Sequence, residues 1–388
     1  MPEGSRFNPV FETLPTTIFT VMSAAAAKYG AVNLGQGFPD EDGPPAIRAA
    51  AAQSLLDGPN QYPPTRGVPE LRRAIAAHAA RFHGLDINPD TEVVVTSGAT
   101  EALAACIMAL AGQGGEIVLL DPAYDCYRPI ADVVGATVRT VALQPPHWRL
   151  NEADLRAAIT ARTRVLLINT PMNPIGRVLD RQELDIIARV IAPSNAMVVC
   201  DEVYEHLVFD GRAHIPLMSL PGMRERTVRC GSAGKMFSLT GWKVGWVSGP
   251  PAAIEVVAKA HQFLTFTTPP ALQLGIAHAL EHEMDFTLGL TRRLQDNRDC
   301  LASGLSRLGF ELCPSEGTYF LTADFSGLSD EPDHIFCERL VREAGVAAIP
   351  LSAFFANGKP DRFVRFAFCK QRAVIENALS RLQHYFGK

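Results

Sequence analysis

The chain has 388 residues, of which 47% are hydrophobic and 20% charged, enough to bury a large core and too apolar for a disordered or fibrous protein. A formal charge of −5 with scattered basic residues leaves no electrostatic footprint for nucleic acid or an anionic membrane, so small molecules are the expected partners. The eight cysteines form no C-x-x-C pair and the histidines show no metal-ligand spacing, so no disulfide framework and no metal site is expected. The N-terminal MPEGSRFNPVFETLPTT carries no signal-peptide core and no uninterrupted apolar run reaches about 18 residues, which reads as a soluble cytoplasmic protein.

The first 45 residues hold too little pattern for a core of their own and are expected to dock on the C-terminal part. The Ala-rich stretch 46–52 reads as helix. From residue 92, β-rich runs at 92–96 (EVVVT), 116–120 (EIVLL), 137–141, 164–168 (RVLLI), 196–200 (AMVVC) and 227–230 alternate with helical patterns such as 99–110 and 181–191. That alternation predicts an α/β fold, a large domain with a mostly parallel sheet sandwiched by helices. After about residue 288 come a long helix (290–308), short strands at 310–313 and 318–323, a helix at 334–344, a strand at 363–368 and a last helix, the pattern of a smaller α+β domain. The expected division is therefore 46–287 for the large domain, with 1–45 and 288–388 forming the small one.

A parallel sheet places its site beyond the carboxyl ends of its strands. Five such ends, at Ser97 to Thr100, Asp121-Pro122, Asn169 to Gly176, Asp201-Glu202 and Gly231 to Lys235, thus point at one region. Lys235 lies in Cys230-Gly231-Ser232-Ala233-Gly234-Lys235, where Arg229 and Met236 stand at positions that a P-loop would fill with Gly and Ser or Thr. Its small, apolar neighbours would desolvate the amine and make it competent for a Schiff base, in a chain with only 7 lysines against 29 arginines. A carboxylate at Asp201, after MVVC, needs a positive partner. The free N–H groups where the chain turns into a helix at Gly98, Ala99 and Thr100 would suit a phosphate.

Asn169-x-Pro171-x-Asn173-Pro174-x-Gly176, Asp201-Glu202-x-Tyr204, Ser232-x-x-Lys235 and Gly241-Trp242-Lys243-x-Gly245 together resemble, in order and spacing, the motifs of class I, fold-type-I pyridoxal-phosphate-dependent aminotransferases. The likeness runs over nearly the whole chain. Segments 32–40 (VNLGQGFPD), 60–64 (NQYPP) and 231–246 look like the branch holding kynurenine/glutamine aminotransferases, bacterial methionine aminotransferases and some succinyl-diaminopimelate aminotransferases. The resemblance implies pyridoxal phosphate held covalently by Lys235, which also serves as general base, with Asp201 at the pyridine nitrogen, Asn173 and Tyr204 at the ring hydroxyl, and Tyr124 stacked on the ring. It implies a phosphate held by Gly98, Ala99, Thr100, Ser232 and Lys243, with Tyr62 reaching in from the second subunit of a homodimer. Arg365 and the backbone of Gly37 would take the substrate carboxylate.

The implied activity is ping-pong transfer of an amino group from an L-amino acid to a 2-oxo acid. Phe38, Tyr124, Phe263, Phe266 and the Phe354-Phe355 pair suggest partly aromatic pocket walls, favouring methionine, aromatic, glutamine or kynurenine-type donors over aspartate. Succinyl-diaminopimelate stays open as a substrate, and cysteine-S-conjugate β-lysis is the rival reaction on the same fold. Ile175 and Met236 depart from the family's usual Thr or Ser, at positions expected near the cofactor. A DNA-bound sensor of the same fold would need a basic recognition helix, which the sequence does not show.

Overall fold

The computed structural model describes residues 6–357 and 359–387. Residues Pro9–Tyr29 are apolar enough in composition to cross a membrane, yet they form two helices, Pro9–Thr13 and Ile18–Tyr29, and Met22 and Ala26 of the second are buried in the core. β1 (Val32–Asn33) follows.

Seven strands then build the central sheet: β2 (Val93–Thr96), β3 (Glu116–Asp121), β4 (Thr137–Ala142), β5 (Thr163–Asn169), β6 (Met197–Asp201), β7 (Thr227–Ser232) and β8 (Gly245–Ser248). Their order is β2-β8-β7-β6-β5-β3-β4. β3 to β7 pair in parallel, while β8 runs antiparallel to both β2 and β7. Alternate residues serve opposite faces, as a strand's period of two requires. Val165, Leu167 and Val199 join Cys106, Ile107, Ile254 and Val257 of helices Ala99–Leu110 and Pro251–Leu264, whereas Leu166, Ile168 and Val198 join Leu184, Ile187 and Val190 of helix Arg181–Ile191. Burial on both faces explains why these strands read as continuous apolar runs. The helix Arg181–Ile191 starts on a capping box, Asp180 accepting from the Glu183 N–H while the Glu183 side chain accepts from the Asp180 N–H.

The rest of the chain adds β9 (Glu311–Leu312), β10 (Phe320–Asp324), β11 (Val346–Ala347), β12 (Ile349–Pro350) and β13 (Phe363–Ala367). β12-β13-β10-β9 form an antiparallel sheet, and β11 pairs in parallel with β1, tying the N-terminal segment to this part of the chain.

Three expectations shift at the edges. The long helix begins at Met284, where Met284 and Thr287 are already buried. The strand expected from 318 begins at Phe320, because Thr318 takes a left-handed φ of 67° that a strand cannot hold. The helix expected over 334–344 is α-helical over Asp333–Arg339 and widens into a π-turn at Leu340–Ala344. A helix at Pro69–His83 and the antiparallel β8 are additions to the expected set. The histidines, spread along the sequence without ligand spacing, are nonetheless drawn together: His78, His83 and His206 converge on Glu205 because the fold sets helix Pro69–His83 against the turn after β6.

Candidate active site

The carboxyl ends of β2, β5, β6 and β7 open on one cavity of about 350 Å³. Register puts its floor together: Asn169 pairs with Asp201 across β5 and β6, and Gly245 lies opposite both Ser232 and Thr96. The cavity is lined by Gly37, Gly98, Ala99, Thr100, Tyr124, Asn173, Asp201, Tyr204, Ser232, Lys235, Lys243 and Arg365, so these twelve sequence-predicted residues are brought to one place. Tyr62 is not among the lining residues; it is 81% exposed, its ring edge-on to Phe266 at 5.0 Å.

Lys235 is delivered by the short helix Ala233–Met236 directly after β7. Its Nζ donates to the Tyr319 hydroxyl at 3.2 Å, and that hydroxyl donates to the Gly37 carbonyl at 2.6 Å. Burial pushes the Lys235 amine below its usual range, toward the neutral form that a nucleophile or base requires. Asp201, at the end of β6, is only 4% exposed. Burial raises its pKa to about 6, against the pull of the Tyr127 hydroxyl, which donates to Oδ2 at 2.6 Å, and of the Val203 N–H at 3.3 Å. An acid so placed calls for a cation beside it.

At the other end, Gly98 caps helix Ala99–Leu110 with a φ of 79° and, among the described residues, no side chain occupies the cap. A Cβ on Gly98 would lie 3.2 Å from Lys243 Nζ, so an ammonium hangs over the helix's free N–H groups, with Ser232 lining the same cavity. Helix dipole, ammonium and hydroxyl together make an anion cradle. Arg365, in the middle of β13, is fully buried over the Phe320 ring at 4.0 Å. Its Nη1 donates to Asn173 Oδ1 and its Nη2 to the Gly35 carbonyl, each at 2.8 Å, while Nε has no partner and no carboxylate pairs with it among the described residues. Desolvation lowers its pKa to about 10. A guanidinium in this state is suited to an incoming carboxylate.

Two groups escaped the sequence reading, Tyr127 beneath Asp201 and Tyr319 between Lys235 and Gly37. Only Tyr127's place three residues after Tyr124 hinted at either. Other expected residues lie outside the cavity of the single chain. Ile175 and Met236 do not line the cavity: both are packed into the hydrophobic core, Met236 offering only its carbonyl to Thr287 Oγ1 at 2.9 Å. Of the expected aromatic walls, Phe38 and Tyr124 line the cavity, joined by Phe19 and Phe320. Phe263 (87% exposed) and Phe266 lie outside it, and Phe354 and Phe355 are core.

A phosphate cradle, a desolvated lysine and a buried acid waiting for a cation fit the three ends of pyridoxal phosphate, and on this sheet they define a fold-type-I pyridoxal-phosphate-dependent transferase. The chain belongs to the aminotransferase class I and II family, which it matches over residues 29–382, and it is a transaminase. It is similar to the solved N-succinyldiaminopimelate aminotransferase of Mycobacterium tuberculosis, with 46% identity, a TM-score of 0.95, and 98% of this chain and 100% of that one covered. It is 41% identical to the methionine aminotransferase of Escherichia coli over 95% of this chain and 96% of that protein. It is 36% identical to kynurenine–oxoglutarate transaminase 1 of Rattus norvegicus over 92% and 93% respectively.

Proposed function

We propose that Lys235 binds the cofactor covalently and shuttles the substrate proton, that Asp201 faces the ring nitrogen, and that Arg365 with Gly37 seats the α-carboxylate. Asn173 and Tyr204 would meet the ring hydroxyl, Tyr124 its face, and Gly98, Ala99, Thr100, Ser232 and Lys243 the phosphate. Pyridoxal phosphate, when bound, supplies the electron sink for the Cα carbanion. The chain's own part is to fix the amino acid by its carboxylate, take the α-proton on the Lys235 amine and return it, with Tyr319 holding that amine in place. The observation that carries this reading is the sharing of one cavity by Lys235, Asp201 and Arg365. Lys235→Ala is expected to lose at least about 10³-fold in amino transfer. Borohydride treatment should then leave no adduct on the peptide spanning that position; full activity with an adduct elsewhere would refute the assignment.

The donor is read as an L-amino acid with an uncharged side chain, of methionine, aromatic, glutamine or kynurenine type. Phe19, Phe38 and Phe320 supply apolar wall, and Arg365 is the guanidinium lining the cavity. Nearby cations are already paired: Lys370 with Asp40, Arg293 with Glu41, Arg372 with Glu376. A second reading, N-succinyl-diaminopimelate, is favoured by the 46% identity to the Mycobacterium tuberculosis enzyme. Single-turnover rates over a donor panel decide; faster reaction with N-succinyl-diaminopimelate than with methionine transfers the assignment to it.

The same reading makes the protein a homodimer, with Tyr62 reaching the partner's site, and places it in the cytoplasm, where its eight free cysteines would stay reduced. It divides the chain into domains 46–287 and 1–45 with 288–388, a division supported by the β1–β11 pairing.

A further inference from the structure

Behind the turn that carries Asp201 and Tyr204 lies a second polar centre. Asp201, Val203 and Tyr204 line the cavity; Glu202, Glu205 and His206 of the same turn do not. His78 Nε2 and His206 Nε2 are 2.7 Å apart, and His83 Nε2 lies 2.5 Å from Glu205 Oε2. Three imidazole nitrogens and one carboxylate oxygen thus lie within 4.8 Å of one another. The His83 and Glu205 side chains are 4% and 2% exposed, and Phe82 stands edge-on to the His206 ring at 4.9 Å, walling the group with hydrocarbon.

Glu202 and Glu205 share one guanidinium, Arg229, whose Nε donates to Glu202 Oε2 at 2.6 Å and whose Nη2 donates to Glu205 Oε2 at 2.9 Å. Each carboxylate also meets an imidazole, His214 Nε2 at 3.2 Å from Glu202 Oε2 and His83 Nε2 at 2.5 Å from Glu205 Oε2. Beside the cluster, Glu202 Oε1 has no hydrogen-bond partner among the described residues, and the His214 ring centroid is 5.6 Å from that of His83.

We propose that His78, His83, His206 and Glu205 bind a zinc-class divalent ion that clasps helix Pro69–His83 to the turn bearing Asp201 and Tyr204. Three nitrogens and an oxygen fill a tetrahedral shell and leave no open position, the pattern of a structural site. Bonds of about 2.0–2.1 Å set tetrahedral ligand atoms about 3.3 Å apart, which small rotations of these side chains reach. Arg229 holds the ligand carboxylate from outside, as outer partners of metal ligands do.

The test uses the holoenzyme with any affinity tag removed, equilibrated with Zn²⁺ and passed through a sizing column. Elemental analysis should find about one zinc per chain, Co²⁺ should give the visible absorption of a tetrahedral centre, and Zn²⁺ should raise the unfolding midpoint by about 3 °C or more. His206→Gln and, separately, His83→Gln should lose the metal and the midpoint shift while keeping the cofactor's absorption. If either variant does not fold, the wild-type metal content and Co²⁺ spectrum decide alone. Wild-type protein with no stoichiometric zinc and no Co²⁺ band would overturn the proposal and leave a hydrogen-bonded histidine network only.

Discussion

In the cofactor-free chain, Asp201 carries an electrostatic penalty that can be measured. Burial lifts its pKa from 3.8 to about 6, so between these values the folded protein keeps a proton that the unfolded chain has released. Stability contributed by this residue therefore falls as pH rises from about 4 to about 6, by up to about 3 kcal/mol, and is flat above. Asp201→Asn removes the charge and keeps an acceptor for Tyr127. The cofactor-free variant should thus be more stable than the parent at pH 7.5 and nearly equal to it below pH 4, as read by urea unfolding at both values. Pyridoxal phosphate should stabilise the parent more than the variant, because only the carboxylate gains from a cation at the ring nitrogen. Equal stabilities at pH 7.5 would show that the acid is already compensated. Lys235, Asp201 and Asn173 were legible because each sits in a short motif of fixed spacing, and Arg365 only through the family resemblance that those motifs support. Tyr127 and Tyr319 were not, since a phenol that steers another residue's carboxylate or amine looks in sequence like any core tyrosine.

Between elements, the tightest constraint is where β8 meets the start of helix Ala99–Leu110. A Cβ at Gly245 would stand 2.7 Å from the Gly98 carbonyl carbon and 2.9 Å from the Ala99 nitrogen, backbone atoms that cannot swing away. Gly245→Ala must push the helix N-terminus off the sheet, at a cost of about 1–3 kcal/mol. Since that N-terminus is the proposed phosphate seat, cofactor affinity should drop about tenfold or more with the far-UV spectrum little changed, as followed by equilibrium titration with pyridoxal phosphate. Unaltered affinity would mean that the phosphate is held elsewhere. The parallel strands were legible from apolar runs and strand-end motifs. β8 was not: four residues, Gly245 to Ser248, are too few to show a period, and their antiparallel direction is set by pairing with β2 and β7. The histidine centre was hidden for a related reason, as its residues come from 78–83 and 205–206, more than a hundred positions apart in sequence and adjacent only in the fold.

At the scale of the whole molecule, apolar surface remains that one chain does not cover. Tyr62 and Phe263 are 81% and 87% exposed, and Phe266, 39% exposed, lies edge-on to Tyr62. Large aromatic side chains lose about 1.5–3 kcal/mol each by staying in water, so exposed rings such as these favour a covering partner, which the proposed homodimer would supply. Composition says nothing about which face this is; only the resemblance linked Tyr62 to a neighbouring subunit, and its position outside its own chain's cavity fits that link. Two substitutions separate assembly from site completion. In the proposed homodimer, Phe263→Glu would set a charge on the face expected to be covered and should shift the sedimenting species from dimer to monomer at micromolar concentration, with amino transfer falling in parallel. Tyr62→Ala removes one hydroxyl and some packing, so it should leave a dimer whose affinity for pyridoxal phosphate is weaker by about tenfold, the worth of one hydrogen bond to a charged group. A Phe263→Glu monomer that retains full activity would show that each chain completes its own site, and Tyr62 would then return to being a surface tyrosine.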